Sequence, residues 1–158
     1  MLGAGKVIAG LVLLAIIAYG LYTILSPPPT TTFSGKYISF EYPKDWNITD
    51  HCFDTPNYDE HVCVVKHDEW KKIVSVDLHP KNVTLEDLKQ DILGFAGYRI
   101  TDEGTLGDVQ YTEFWSDQVD QTIYVFEKDG RVLEIQCDFD TECENVAKDI
   151  IKSLRVKK

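Results

Sequence analysis

The sequence predicts an α+β domain, an antiparallel sheet of about six or seven strands flanked by helices (an α/β/α sandwich), preceded by one transmembrane helix. Three observations carry this prediction. Apolar residues alternate over several short segments that follow one another too closely for the crossovers that parallel strands need. Two other segments place their apolar residues at helical spacing. Residues 7–25 contain no charged residue, Asn, Gln or Pro.

The apolar segment at residues 7–25 predicts a membrane anchor. As a helix it spans about 28 Å, close to the thickness of a bilayer's hydrocarbon core. Lys6 precedes it and the next basic residue is Lys36, so the positive-inside rule predicts a single-pass protein of the cell membrane with a cytoplasmic N-terminus and an outside domain. Two alternatives stay open. One is a cleaved signal peptide, although apolar residues continue beyond the best site after Gly20, and the other is a central core helix.

A linker is predicted at residues 26–32, which read Ser-Pro-Pro-Pro-Thr-Thr-Thr. Consecutive prolines favour polyproline II, so the segment makes a semi-rigid spacer of about 20 Å. The expected organisation is therefore an anchor at 1–25, a linker at 26–32 and an extracytoplasmic domain at 33–158.

The domain is strongly acidic. Residues 1–32 contain Lys6 as their one charged side chain, which leaves 15 basic and 26 acidic residues and a formal charge of −11 in the rest of the chain. Such a surface repels nucleic acids and anionic lipid headgroups. We therefore expect no nucleic-acid partner.

Strand periodicity begins early in the domain. Apolar residues alternate with polar ones over 38–42, which predicts a half-buried strand stopped by Pro43. Trp46 is the expected inward anchor of the polar stretch that follows. Two further strands are predicted over 62–67 and 73–79.

A helix is predicted near residues 84–96. Thr84 is the expected N-cap, with Asp87 in a position like that of a capping box, and Gly97 is a natural terminator. The apolar stripe of this helix comprises Leu85, Leu88, Ile92, Phe95 and Ala96.

Three or four strands are predicted after this helix. Asp129 and Gly130 form a strong tight-turn signal because both tolerate positive φ. The buried face of the last strand comprises Leu133, Ile135, Cys137 and Phe139. The strands are expected at about 98–103, 108–116, 121–127 and 131–139.

A second helix closes the domain. Thr141 and Glu144 have the spacing of a capping box, which predicts that the helix begins there. Its apolar stripe comprises Cys143, Val146, Ala147, Ile150, Ile151 and Leu154.

The order of these elements resembles that of the PsbP-like domains, named for an extrinsic subunit of the photosynthetic oxygen-evolving complex. Their wider fold group includes the Ran-binding Mog proteins. The matching pieces are the opening strand with Pro-x-x-Trp (YISFEYPKDW, 37–46), the helix at 84–96 before a long meander, and the ending IIKSLR at 150–155. The resemblance covers roughly residues 33–156. It implies a PsbP/Mog-type fold and a non-catalytic binding or assembly role on a membrane complex.

All four cysteines lie in the domain. An even number of cysteines in an oxidising compartment predicts two disulfides, which allow three connectivities. We favour Cys52 with Cys63, and Cys137 with Cys143. The alternative for the second pair is two ordinary buried thiols, since both residues lie on apolar stripes.

Metal sites are the alternative for the loop at 51–67. His51, Cys52, His61 and Cys63 form a chemically reasonable Cys2His2 set for zinc. However, neighbouring residues 51 and 52 do not easily reach one ion, and the spacing is not that of a zinc finger. Calcium is a weaker possibility, on oxygen ligands from Asp50, Asp54, Asp59 and Glu60.

Two N-glycosylation sequons begin at Asn47 and Asn82, on predicted loops. The sequence contains no nucleophile elbow, zincin motif, P-loop or dinucleotide fingerprint. We therefore expect no catalytic residues and no cofactor.

Aromatic residues on the later strands are the interaction candidates, namely Tyr98, Tyr111, Trp115 and Tyr124. Either helices cover both faces of the sheet, or one face keeps an aromatic patch for a partner. The expected function is a membrane-tethered, extracytoplasmic, non-catalytic interaction or assembly module. Its partners would be the lipid bilayer, through residues 7–25, and another membrane or extracytoplasmic protein. The alternatives are a metal-binding accessory domain using the His/Cys loop and an unrecognised hydrolase.

Overall fold

The structure, a computed structural model, describes residues 12–17, 28–49, 52, 57–66, 72–138 and 140–158. Within these residues the domain has ten strands and two helices. The strands are β1 Thr30–Ser34, β2 Ile38–Pro43, β3 Trp46–Thr49, β4 Glu60–Lys66, β5 Ile73–Leu78, β6 Arg99–Leu106, β7 Val109–Ser116, β8 Gln121–Lys128, β9 Arg131–Asp138 and β10 Arg155–Val156. The helices are α1 Leu85–Leu93 and α2 Thr141–Ser153.

Seven strands form one large sheet in the order β3-β4-β5-β9-β8-β7-β6. Every neighbouring pair is antiparallel, as predicted from the close spacing of the strands. The β8–β9 hairpin turns at Asp129 and Gly130, whose φ angles are 52° and 71°. These positive values confirm the tight turn predicted from the Asp-Gly pair.

A second, three-stranded sheet was not predicted. It has the order β1-β2-β10 and pairs Thr30 with Pro43 and Val156 with Ile38. Residues 30–32, which the sequence assigns to the linker, therefore belong to strand β1. Three consecutive threonines explain this difference, because β-branched side chains that keep a linker extended also suit a paired strand.

The large sheet carries a helix on each face, in the layered arrangement that the sequence predicts. Alternation along β8 divides its side chains between two cores. Tyr124 and Phe126 enter the main core with α2 and β2, whereas Ile123 and Val125 pack under α1. Trp46 is buried in the main core at the start of β3, as expected.

The helix termini match the sequence analysis in part. The Thr84 side chain accepts the Asp87 backbone N–H at 3.1 Å, which confirms the first N-cap. Helix α1 ends at Leu93, so Phe95 lies beyond it and is exposed, not on the buried stripe. The N-cap of α2 is Asp140 instead of Thr141, because the Asp140 carboxylate accepts the first N–H groups of the helix.

The predicted anchor and linker lie mostly outside the described residues. Residues 12–17 are helical and exposed, and residues 28 and 29 precede β1. Among the residues that the structure describes, no helix has the length and apolarity to span a membrane.

Candidate functional site

One half of the large sheet is polar on the face that also carries α1. Along β5, Val74, Val76 and Leu78 point into the main core, so Ser75 and Asp77 point to the opposite face. There both are almost fully buried. The residues that gather on and beside this face are here named the polar cluster. They are Cys52, Tyr58, His61, Cys63, Ser75, Asp77, His79, Glu134 and Gln136.

The strand register places these side chains in two rows. His61 of β4 pairs with Asp77 of β5, which in turn pairs with Glu134 of β9. The second row runs from Cys63 through Ser75 to Gln136 in the same way. Because neighbouring strands lie only about 4.8 Å apart, side chains in one row reach one another.

His61 and Asp77 form the first histidine–carboxylate pair of the cluster. The Nδ1 atom of the imidazole pairs with the Oδ1 atom of Asp77, and the Ser75 hydroxyl donates to Oδ2 at 3.1 Å. Burial raises the pKa of the Asp77 carboxyl, although the hydrogen bond from His61 opposes this shift. The carboxylate thereby sets the orientation of the imidazole ring.

The other nitrogen of His61 faces two sulfur atoms. Its Nε2 lies 3.5 Å from the Cys52 Sγ and 3.3 Å from the Cys63 Sγ. The two cysteines form a disulfide with a Cα–Cα distance of 6.2 Å, which confirms the predicted pairing. His51, the remaining member of the predicted ligand set, lies outside the described residues.

A second histidine, which is buried, pairs with a second carboxylate. His79 Nε2 lies 2.9 Å from Glu134 Oε2, and the Gln136 side chain donates to Glu134 Oε1 at 2.6 Å. The Tyr58 ring lies between the two histidines, stacked 6.0 Å from His61 and edge-on 4.9 Å from His79. Burial raises the pKa of the Tyr58 hydroxyl, and the carboxylates of Glu134 and Asp77 raise it further.

Sequence reasoning found three members of this cluster, namely Cys52, His61 and Cys63, and missed the rest. A signal was present, since Ser75, Asp77 and His79 occupy alternate positions of one predicted strand. Polar residues at that spacing are equally typical of a sheet face exposed to solvent, so the pattern alone does not predict a buried cluster. Only the pairing of β5 with β4 and β9 shows that they are buried together.

The predicted Cys137–Cys143 disulfide is wrong. Both residues are buried free thiols in the main core. Burial raises the pKa of Cys143 to about 12 and that of Cys137 further, and proximity of the two thiols contributes to the latter shift. They pack as small apolar side chains between β9 and α2, which was the alternative left open by their apolar stripes.

Two of the four aromatic interaction candidates, Tyr98 and Tyr124, are not on the surface. Tyr124 is buried in the main core, with the Tyr111 ring 5.8 Å away, and Tyr98 is buried under α1. The Arg99 guanidinium lies 4.5 Å above the half-buried Trp115 ring. Helices covering both faces of the sheet explain the burial of Tyr98 and Tyr124, whereas Tyr111 is half-buried like Trp115.

Four other apolar residues are exposed instead, and they are here named the apolar rim. Leu93, Phe95, Ile100 and Val119 are 40%, 68%, 45% and 41% exposed, respectively. They belong to one end of the domain, because the loop after α1 contacts the turn before β8. The Ser116 hydroxyl donates to the Ala96 carbonyl oxygen there.

The calcium and N-glycosylation hypotheses concern residues that the structure describes only in part. Asp59 pairs with Arg131 at 2.5 Å, and Glu60 accepts three backbone N–H groups, so their oxygens are engaged within the domain. Asp50 and Asp54, the other two residues of the calcium hypothesis, lie outside the described residues. Asn47 and Asn82 are both exposed, although Asn47 lies on strand β3 and not on a loop.

A cleft of about 360 Å³ lies between α1 and the β6–β7 hairpin. Its walls include Lys89, Glu103 and Tyr111. The Lys89 ammonium lies 3.6 Å from the Glu103 carboxylate, and the Thr112 hydroxyl donates to the same oxygen at 3.2 Å. The Glu103 carboxylate in this cleft thus already interacts with the Lys89 and Thr112 side chains of the domain.

The fold is similar to known structures. The solution structure of cyanobacterial PsbP (CyanoP) from Synechocystis sp. PCC 6803 gives a TM-score of 0.56 at 16% identity, over 84% of this chain and 95% of that one. A crystal structure from Bacteroides thetaiotaomicron VPI-5482 gives 0.53 at 15% identity over 80% of this chain, which spans 48% of that longer chain. No family model and no curated protein matches the sequence. The domain therefore has a PsbP-like fold, in agreement with the resemblance in the sequence.

Proposed function

We propose that this chain is a membrane-tethered extracytoplasmic module that binds a partner protein through the apolar rim and catalyses no reaction. The observation that carries the proposal is the exposure of Leu93, Phe95, Ile100 and Val119 at one end of a domain whose other large apolar side chains, among the residues described from 28 onward, are at least partly buried. Clustered apolar surface on a folded domain marks a binding site.

The nature of the partner follows from charge and shape. A net charge of −10 on the chain disfavours nucleic acids and anionic membranes. Phe95 protrudes most of the four, and an aromatic side chain that is exposed when unbound is a typical anchor for a pocket on another protein. The resemblance to PsbP-like domains supports the same role, since it implies binding and assembly on a membrane complex.

Photo-cross-linking of the full chain in its native membrane tests the rim. A benzophenone amino acid at Val119 should give one discrete adduct, and Phe95→Asp in the same chain should abolish it, because a charge on the most exposed side chain of the rim opposes burial. The matched control is Asn145→Asp, which introduces the same charge at an exposed position on α2, across the sheet from α1. An adduct that survives Phe95→Asp, or no adduct from Val119, would contradict the proposal.

The tether and its topology need their own test. We infer that residues 7–25 anchor the chain, so the protein should stay with the membrane after alkaline carbonate extraction. Protease added to intact cells should remove the domain. Release by carbonate would contradict the anchor, and protection from external protease until lysis would contradict the extracytoplasmic location.

A further inference from the structure

We propose that Cys52, His61 and Cys63 form a redox-gated metal site that binds one Zn²⁺ when their disulfide is reduced. The site is formed by side chains that the fold already holds together. One donor atom from each residue lies within 4.8 Å of the other two. The disulfide between Cys52 and Cys63 prevents metal binding, and its reduction makes both sulfurs available as ligands.

The distances fit tetrahedral zinc. Zinc–sulfur bonds of about 2.3 Å and zinc–nitrogen bonds of about 2.0 Å at a tetrahedral angle separate the sulfur and nitrogen ligands by roughly 3.5 Å. The His61 Nε2 atom lies 3.5 Å from the Cys52 sulfur and 3.3 Å from the Cys63 sulfur. Zinc binding therefore requires the two sulfurs to move apart and leaves the imidazole close to its present position.

The surroundings of His61 match those of a metal ligand. The Asp77 carboxylate pairs with Nδ1, and the Ser75 hydroxyl in turn holds Asp77. A carboxylate on Nδ1 places the proton of the neutral ring there, so the lone pair of Nε2 points at the two sulfurs. Carboxylates in this position orient ligand histidines and strengthen metal binding.

The redox step is a thiol–disulfide exchange with a dithiol reductant. Two electrons from the reductant break the Cys52–Cys63 bond, and the reductant becomes a disulfide as the two protein thiols form. Zn²⁺ then replaces the two thiol protons, since thiolates are the ligands. Two sulfurs and one nitrogen leave a fourth position for water or a further ligand.

A cysteine sulfur next to an imidazole that is itself held by a carboxylate is also the arrangement of a cysteine nucleophile and its general base. Cys63 is fully buried on β4, however, so only the half-buried Cys52 sulfur is open to a substrate. Two cysteines on the same imidazole nitrogen give a ligand set that a nucleophile does not require. The geometry thus favours a shared ion over nucleophilic catalysis.

The test uses the full chain in detergent, reduced with a dithiol, freed of reductant and kept under argon. Titration with Co²⁺ as a spectroscopic probe should produce a sulfur-to-cobalt charge-transfer band in the near ultraviolet, saturating at one equivalent, and Zn²⁺ should remove it. The oxidised protein should give no band. Cys52→Ser should abolish the band, Asp77→Asn should weaken binding by about 10–100-fold, and Cys143→Ser, a change to a thiol in the main core, should leave it intact.

A second readout needs no substitution. In a fixed dithiol buffer, Zn²⁺ at 100 times its dissociation constant should raise the ratio of reduced to oxidised protein about 100-fold, because it binds only the reduced form. Alkylation and mass measurement give this ratio. The proposal is overturned if the reduced chain shows no charge-transfer band, if binding persists in Cys52→Ser, or if Cys52 of the reduced chain alkylates equally fast with and without Zn²⁺, as a nucleophile without an ion would.

Discussion

The carboxylate of Glu60 accepts the backbone N–H of Ile38 at 2.8 Å and so joins the two sheets. Glu60 begins β4 of the large sheet, and Ile38 begins β2 of the small one. The same carboxylate accepts the N–H groups of Lys36 and Tyr37, each at 2.7 Å. One side chain thus satisfies three donors in the turn that closes the β1–β2 hairpin.

Removal of this carboxylate should loosen the small sheet. We expect Glu60→Ala to lower the free energy of unfolding by about 2 kcal/mol. Three hydrogen bonds to a charged acceptor are lost, and the partly buried N–H donors are left without an acceptor. Urea unfolding followed by circular dichroism measures the change. Glu127→Ala, at an exposed position on β8, is the matched control and should stay within about 0.5 kcal/mol of wild type. Equal effects of the two substitutions would contradict this role for Glu60.

The turn that Glu60 holds also requires a glycine. A Cβ atom at Gly35 would lie 1.7 Å from the Glu60 Oε1 atom, so Gly35→Ala must displace the carboxylate or the turn. We expect a loss of about 1–3 kcal/mol of unfolding free energy. Gly94→Ala is the control, because its Cβ meets no atom closer than 3.4 Å and its φ of −78° suits alanine. Thermal unfolding of both variants tests the pair, and a neutral Gly35→Ala would show that the close approach has no energetic weight.

A pH dependence is expected from Glu142 at the start of α2. Lys66 and Lys72 donate to its carboxylate at 2.6 and 2.7 Å, and these hydrogen bonds lower its pKa. A carboxyl whose pKa is lower in the folded state contributes stability above its unfolded pKa of roughly 4.3 and loses it as the pH falls through the folded value. Because the pair is partly exposed, the contribution at pH 7 is about 0.5 kcal/mol.

Glu142→Gln should therefore lower the unfolding free energy at pH 7 by that amount. Below the folded pKa the variant and wild type should converge, and high salt at pH 7 should narrow the gap as well. Urea titrations at pH 7 and pH 3 measure both effects. A gap that is unchanged at pH 3 would mean that the substitution acts through packing and not through charge.

The strands and helices were largely predictable because their signals are local. The alternation at 38–42, the Asp129-Gly130 turn and the stripe of α2 each depend on neighbours in sequence, and all three are found in the structure. Strand β1 escaped prediction because threonines after prolines suit both a linker and a strand. Its partner is fixed by tertiary pairing with β2, which no local pattern specifies.

The polar cluster was predictable only in part for the same reason. Cys52 and Cys63 are close enough in sequence for their pairing to be inferred, and His61 is nearby. Asp77 and Glu134 come from other strands, and their roles arise from the register of β4, β5 and β9. The burial of Tyr124, one of the aromatic candidates, was unpredictable for a related reason, since it depends on α2 covering that face.

Differential alkylation should separate the two kinds of cysteine. In the native, unreduced protein at pH 8 we expect no adduct, because Cys137 and Cys143 are buried and their raised pKa values leave little thiolate. Denaturation without reductant should expose two thiols, and reduction of the denatured protein should bring the total to four. Intact mass after iodoacetamide treatment counts the adducts. No adducts in denaturant would instead indicate a Cys137–Cys143 bridge, and four without reductant would mean that Cys52 and Cys63 are not joined.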